Sequence, residues 1–183
     1  SLLIMGGHPL EELDKMLASN NIGEGKVMMT FGLTGNIDQC EAAKQFTLKC
    51  YHEFGGVDGG SELGERWEHG RFRAPYLREP LGNAGYVVDT METCVDWGKV
   101  SDAVDSIEQA IGGALADENE PVYVYTHLSH VYSQGSSVYT TYLYRCCDSH
   151  DETYKRWLKL KTAGAKQIVA LGGTISHQHG VGA

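Results

Sequence analysis

A chain of 183 residues has the length of one ordinary domain. Its 42% hydrophobic and 21% charged residues supply enough apolar material for a core, which excludes a disordered polymer. Fifteen Lys and Arg against 24 Asp and Glu leave a formal charge of -9, so the summed field repels phosphate backbones and no nucleic acid is expected as partner.

The predicted elements begin with a short amphipathic helix over 9–19, with Pro9 in its first turn. Val27 to Leu33 reads as a buried strand. Asn36 and Gln39 have the spacing of a capping box ahead of a helix with Ala43, Phe46, Cys50 and Phe54 as its core stripe. Residues 62–79 are densely charged and should be helical up to Ala74, because Pro75 disfavours helix at the residue before it. A strand over Tyr86 to Thr93 and a helix from about Trp97 to Leu115, with Val100, Val104, Ile107 and Ile111 on one face, follow. Val122 to Leu128 and Val138 to Leu143 alternate as strands around Ser133-Gln134-Gly135, a hairpin signal. The last helix covers roughly 150–170, with Tyr154, Trp157, Leu158, Ala165, Ile168 and Val169 on its apolar side and Gly172-Gly173 as its stop. The succession predicts an α+β fold: an antiparallel or mixed sheet, ferredoxin-like, with helices on one face.

Five cysteines (Cys40, Cys50, Cys94, Cys146, Cys147) lack paired CxxC spacing and read as reduced thiols of a cytoplasmic protein. No apolar stretch approaches the ~20 residues of a membrane helix. Cys146 and Cys147, placed on a strand, would face opposite sides.

The densest polar constellation is Gly172-Gly173-Thr174-Ile175-Ser176-His177-Gln178-His179-Gly180-Val181-Gly182. In an extended segment His177 and His179 point the same way, which suits a proton relay or a metal, although no carboxylate has diagnostic ligand spacing. The segment has neither the GxGxxG dinucleotide fingerprint nor the GK[ST] of a phosphate loop. His127 and His130 end the first hairpin strand, Tyr139 lies on the second, and imidazole and phenol can move protons where they converge. Arg66, Arg71, Arg73 and Arg78 are concentrated in an acidic chain, where a guanidinium fork can hold a carboxylate or phosphate.

Four ordered segments, Ser176–Gly182, His127–Tyr132, Arg71–Glu79 and Asp89–Thr93, together resemble the C-terminal substrate, or cap, domain of FAD-linked oxidases of the vanillyl-alcohol oxidase superfamily, most of all the alkyldihydroxyacetonephosphate synthase branch. The resemblance covers about residues 25–183. It implies that residues 1–183 are one cap domain of a longer flavoprotein, whose N-terminal domain binds most of the FAD. It also implies exchange of an acyl group for a long-chain alcohol through a flavin adduct, or dehydrogenation of a 2-hydroxy acid or alcohol as in related oxidases. Tyr139, His177 and His179 match catalytic positions; Arg78, with His127 and His130, lies on the substrate side; Gln178 and Gly180 lie toward the cofactor. Gln178 replaces the middle histidine of the family's triplet and leaves an amide that can only hydrogen-bond. No metal is expected, the other partner is a small or lipid-like molecule, and a homodimer is possible. The competing reading is a small-molecule or metal-binding module that uses the His177-x-His179 loop.

Overall fold

The computed structural model describes residues 14, 15, 17–19, 22, 23 and 26–180. The chain divides into two compact units, Ser1–Pro75 and Tyr76–Ala183. Among the described residues no helix is long and apolar enough to cross a membrane.

In the first unit, residues 14, 15 and 17–19 of the predicted first helix are helical, and the remainder of it lies outside the described residues. Val27–Leu33 does not form the expected strand, and Val27 is 92% exposed. An apolar run becomes a strand only when a neighbour pairs its N–H and C=O groups, and none of the described residues does so here. Helix α1 (Ile37–Glu53) starts as the spacing predicts, with the Asn36 side chain accepting the Gln39 N–H at 2.9 Å. The expected core stripe does not hold: α1 buries no residue, and Phe46 and Phe54 are exposed. Helix α2 (Glu62–Gly70) ends earlier than predicted, and residues Arg71–Leu77 continue as a 3-10 helix that contains Pro75. Proline offers no N–H to an α-turn, and the tighter 3-10 path accommodates its ring.

The second unit carries α3 (Arg78–Asn83), β1 (Tyr86–Asp96), α4 (Val100–Gly112), β2 (Tyr123–His127), β3 (Gly135–Arg145) and α5 (His150–Ala170). Strand order is β1-β3-β2, with both pairings antiparallel. β1 and β2 therefore run parallel with β3 between them, and α4 carries the chain across, which is a split βαβ arrangement. The α+β expectation holds, as does the hairpin. The hairpin loop runs from Leu128 to Gln134, with a further bridge between Val131 and Ser136. Cys146 and Cys147 lie beyond the end of β3, so the strand geometry expected for them does not apply.

Alternation divides the sheet. Met91, Val95, Val138, Tyr142 and Tyr144 face α4 and α5 and join Ala103, Ile107, Ile111, Leu115, Leu160 and Ile168 in one buried cluster. The stripe on α4 matches expectation, since Val100 and Val104 pack at the margin of this cluster. On α5 the expected stripe holds in part: Ile168 is buried and Trp157 packs against the cluster, whereas Tyr154, Leu158 and Val169 are exposed, and Leu160 and Gly164 are buried in addition. A Cβ at Gly164 would collide with Met91 Sδ, so glycine is what lets α5 lie close on the sheet. Asp89 fastens the same helix by accepting from Trp157 Nε1 at 2.6 Å and pairing with Lys161 Nζ at 3.1 Å.

Candidate functional site

The register places Glu92 opposite Tyr139 and Tyr139 opposite His127, so these three share the sheet face turned away from the core. Tyr123, Tyr125 and Thr141 stand on the same face by alternation, while Tyr142 and Tyr144 point into the core. These five tyrosines of β2 and β3 thus serve two different surfaces.

Glu92 is the centre of the site, and sequence reasoning did not single it out. Its residue is 2% exposed and its side chain fully covered, on a strand where Met91 and Thr93 point the other way. Ser129 Oγ donates to Oε1 at 2.6 Å, Gln178 Nε2 to Oε2 at 3.1 Å, His177 Nδ1 lies 3.4 Å from Oε1 and His179 Nε2 lies 3.1 Å from Oε2. The backbone N–H of His177 also donates to the Glu92 carbonyl at 3.3 Å. Burial acts to raise the Glu92 pKa, but the hydrogen bonds from Ser129, Gln178, Ser137 and His177 outweigh it and hold the carboxyl below its ordinary range. The available signal was an acid, Glu92, set between Met91 and Thr93 in the middle of the strand Tyr86–Asp96, which carries Asp89 and Asp96 as well. A charge there must find donors from elsewhere in the chain.

Those donors come from two loops. The β2–β3 loop supplies Ser129 and His130, locked by the Ser129 Oγ to Ser137 Oγ bond at 2.6 Å and the His130 N–H to Ser137 Oγ bond at 2.8 Å. The segment after α5 is anchored by Thr93 Oγ1 donating to the Thr174 carbonyl at 2.7 Å. It then differs from the extended path expected for His177 and His179. The His179 N–H bonds the His177 carbonyl at 2.7 Å, and Gln178 between them has φ 52, which is a γ-turn with its central residue left-handed. Both rings still reach one carboxylate, because the turn folds them around it.

The expected site residues are mostly brought together. Tyr139, half-buried, lies between the rings of His127 at 4.9 Å and His179 at 5.8 Å. Desolvation lowers the His127 pKa, with the Glu92 charge opposing it. Tyr132, a residue the sequence reading did not assign, has its hydroxyl 3.2 Å from His177 Nε2. Gln178 Nε2 also reaches His130 Nδ1 at 3.2 Å. Gly180 is exposed, and a Cβ there would meet nothing within 4 Å. Arg78 stands apart at the start of α3, its Nη2 3.4 Å from the Val88 carbonyl, four strand positions or about 13 Å before Glu92. In the first unit Arg66 pairs with Glu62, and Arg71 stacks over Phe72. Among the described residues, Glu92, His130 and His177 each offer a ligand atom, all within 4.8 Å of one another, and could together hold a metal ion.

Comparisons with known proteins point one way. Over 152 residues the chain is 30% identical to the alkyldihydroxyacetonephosphate synthase of Caenorhabditis elegans, covering 81% of this chain and 25% of that protein. The Dictyostelium discoideum enzyme of the same name is 27% identical over 67% of this chain and 20% of its own length. The chain thus spans a quarter or less of these relatives. A solved structure of an alkyldihydroxyacetonephosphate synthase superposes with a TM-score of 0.63 at 19% identity, covering 77% of this chain and 25% of that one, which shows a shared fold. The model of the family "FAD linked oxidases, C-terminal domain" matches residues 9–183, and the chain belongs to that family.

Proposed function

We propose that this chain is the substrate-binding cap of a FAD-dependent enzyme, completed by an FAD-binding domain of the same parent protein, and that the enzyme exchanges an acyl ester for an alkyl ether. The observation that carries the reading is the convergence of Tyr139, His127, His177, Gln178 and His179 on one sheet face around a buried carboxylate. Imidazoles, a phenol and an amide form a donor and acceptor set that fits the carbonyl and imide edge of an isoalloxazine, with no lysine or arginine among them for a pyrophosphate. Gln178 spends its amide nitrogen on Glu92 and His130, which leaves Oε1 to accept a ring N–H, and the open space at Gly180 leaves room for a flat ring. When bound there, FAD supplies an electron-deficient ring that takes up and returns an electron pair.

The residues of the chain handle protons and position. Exchange of an ester for an ether consumes an alcohol and releases an acid, so one proton must leave the alcohol oxygen and one must reach the departing carboxylate. Tyr139, flanked by two imidazole rings, is the group for that transfer, with His179 at its edge. Arg78 is the fork for a phosphate or carboxylate of a small, lipid-like substrate. In the full-length protein, Tyr139→Phe and His179→Ala should each lower turnover by ~10²–10⁴-fold with flavin content unchanged. Wild-type turnover in Tyr139→Phe at saturating substrate, or a loss that merely tracks a lower melting temperature, refutes the assignment. Incorporation of labelled alcohol without consumption of an electron acceptor distinguishes exchange from oxidation. The second reading, a metal module, is favoured by the grouping of Glu92, His130 and His177; stoichiometric zinc in chelator-free protein would select it.

A further inference from the structure

We infer that Glu92 is a positioning residue that assigns opposite tautomers to His177 and His179, so that each histidine presents one defined nitrogen lone pair. The inference rests on the proposed catalytic role of these histidines for its functional meaning, while its structural content stands apart from that role.

The argument is a proton count. An ionised carboxylate only accepts hydrogen bonds, so each nitrogen directed at it must carry a proton. His177 faces Glu92 through Nδ1 at 3.4 Å, so the proton is on Nδ1 and the Nε2 lone pair is left to accept from the Tyr132 hydroxyl at 3.2 Å. His179 faces the other carboxylate oxygen through Nε2 at 3.1 Å, so its proton is on Nε2 and Nδ1 keeps the lone pair. Two further donors serve the same carboxylate: Ser129 Oγ donates to Oε1 and accepts from Ser137 Oγ, which in turn accepts from the His130 N–H, and the Gln178 amide donates to Oε2. The count fixes His177 and His179 and does not extend to His130, whose Nδ1 lies 3.1 Å from Ser129 Oγ, 3.2 Å from Gln178 Nε2 and 3.6 Å from Glu92 Oε1.

The γ-turn gives this arrangement its geometric basis. The reversal at Gln178 accompanies the approach of His177 by Nδ1 and of His179 by Nε2 to the one carboxylate. Glu92 reaches neither the solvent-facing edge of the site nor Tyr139 through any hydrogen bond, so it acts through the histidines and does not meet substrate.

Long-range proton–nitrogen NMR of the histidine-labelled 183-residue chain at neutral pH reads the tautomers directly, with His177→Gln and His179→Gln as assignment variants. The expected result is a Nδ1–H pattern for His177 and a Nε2–H pattern for His179, with the His177 pattern lost in Glu92→Gln. A Nε2–H pattern for His177 in the unsubstituted chain overturns the inference, and that measurement needs no variant at Glu92 to fold. In the full-length flavoprotein, Glu92→Gln should lower turnover about 10²-fold with little change in KM, and Glu92→Asp should restore part of it. Equal turnover in Glu92→Gln, together with a large loss in His179→Ala, overturns the positioning role alone. Equal turnover in both His179→Ala and Tyr139→Phe overturns the catalytic reading and leaves the tautomer result to be judged by NMR.

Discussion

Gly135, the first residue of β3, faces the end of β1 at a distance no side chain can occupy. A Cβ there would lie 2.9 Å from Asp96 Cα and 2.9 Å from the Val95 carbonyl carbon, and would collide with the Val95 carbonyl oxygen. All three obstacles are backbone, so Gly135→Ala has no flexible neighbour to displace and must part the strands at this rung. Overpacking of this kind costs roughly 1–3 kcal/mol. For a chain of this length each kcal/mol is worth about 2–4 °C, so a central cost of about 2 kcal/mol lowers Tm by about 4–8 °C. The damage also reaches the site, because the Gly135 carbonyl accepts from the Tyr132 N–H at 2.9 Å and the next rungs carry Ser136 and Ser137, both bonded to His130. Differential scanning calorimetry of Gly135→Ala beside Gly180→Ala tests this, since the latter places its methyl in open space and should change stability by no more than about 0.5 kcal/mol. A Gly135→Ala protein melting within about 1 °C of the parent would refute the close-approach argument.

Two further outcomes follow from the core face. Hydrogen bonds from Trp157 and Thr90 and the Lys161 charge hold the Asp89 carboxyl below its ordinary range despite the opposing effect of burial. A depressed carboxyl stabilises the fold fully above its unfolded pKa of about 3.9 and loses that contribution as pH falls through the lower folded value. Asp89→Asn should therefore cost about 1.5–3 kcal/mol at pH 7 and flatten the decline of stability below about pH 4, as read by urea titrations at stepped pH. An unchanged acid limb would exclude Asp89 as its source. Leu160, 0% exposed, should cost about 2–5 kcal/mol when cut to alanine, and a urea midpoint unmoved by Leu160→Ala would contradict its place in the core.

Local patterns that carry their own partners were legible in the sequence. The Asn36 cap and the α4 stripe around Ile107 and Ile111 concern neighbours along one helix, and the β2–β3 hairpin concerns adjacent strands. Val27–Leu33 and the α1 stripe failed for the opposite reason, since apolarity calls for a covering surface without saying that one is near. On α5, Leu158 and Leu160 are both apolar, and only Leu160 falls on the side that Gly164 lets lie close to the sheet. At the site, the histidines and Tyr139 were visible by type and position, but Glu92 was not. Its meaning depends on Ser129, His177 and His179, which are distant in sequence and meet it only through the loops after β2 and α5.

The central place of β3 bears on how the chain acquires its structure. Every rung between β1 and β3 encloses the whole of α4 and β2, and β2 has no other partner among the described strands. During synthesis both outer strands emerge before the one strand that can pair with either, so the α4 face with Ile107 and Ile111 waits without a completed sheet until Arg145 has been added. Such non-local pairing belongs to the slow end of folding, on the millisecond-to-second scale, and leaves unpaired edges exposed meanwhile. The appearance of β3, more than the formation of any helix, is then the step that commits this half of the chain to its native topology.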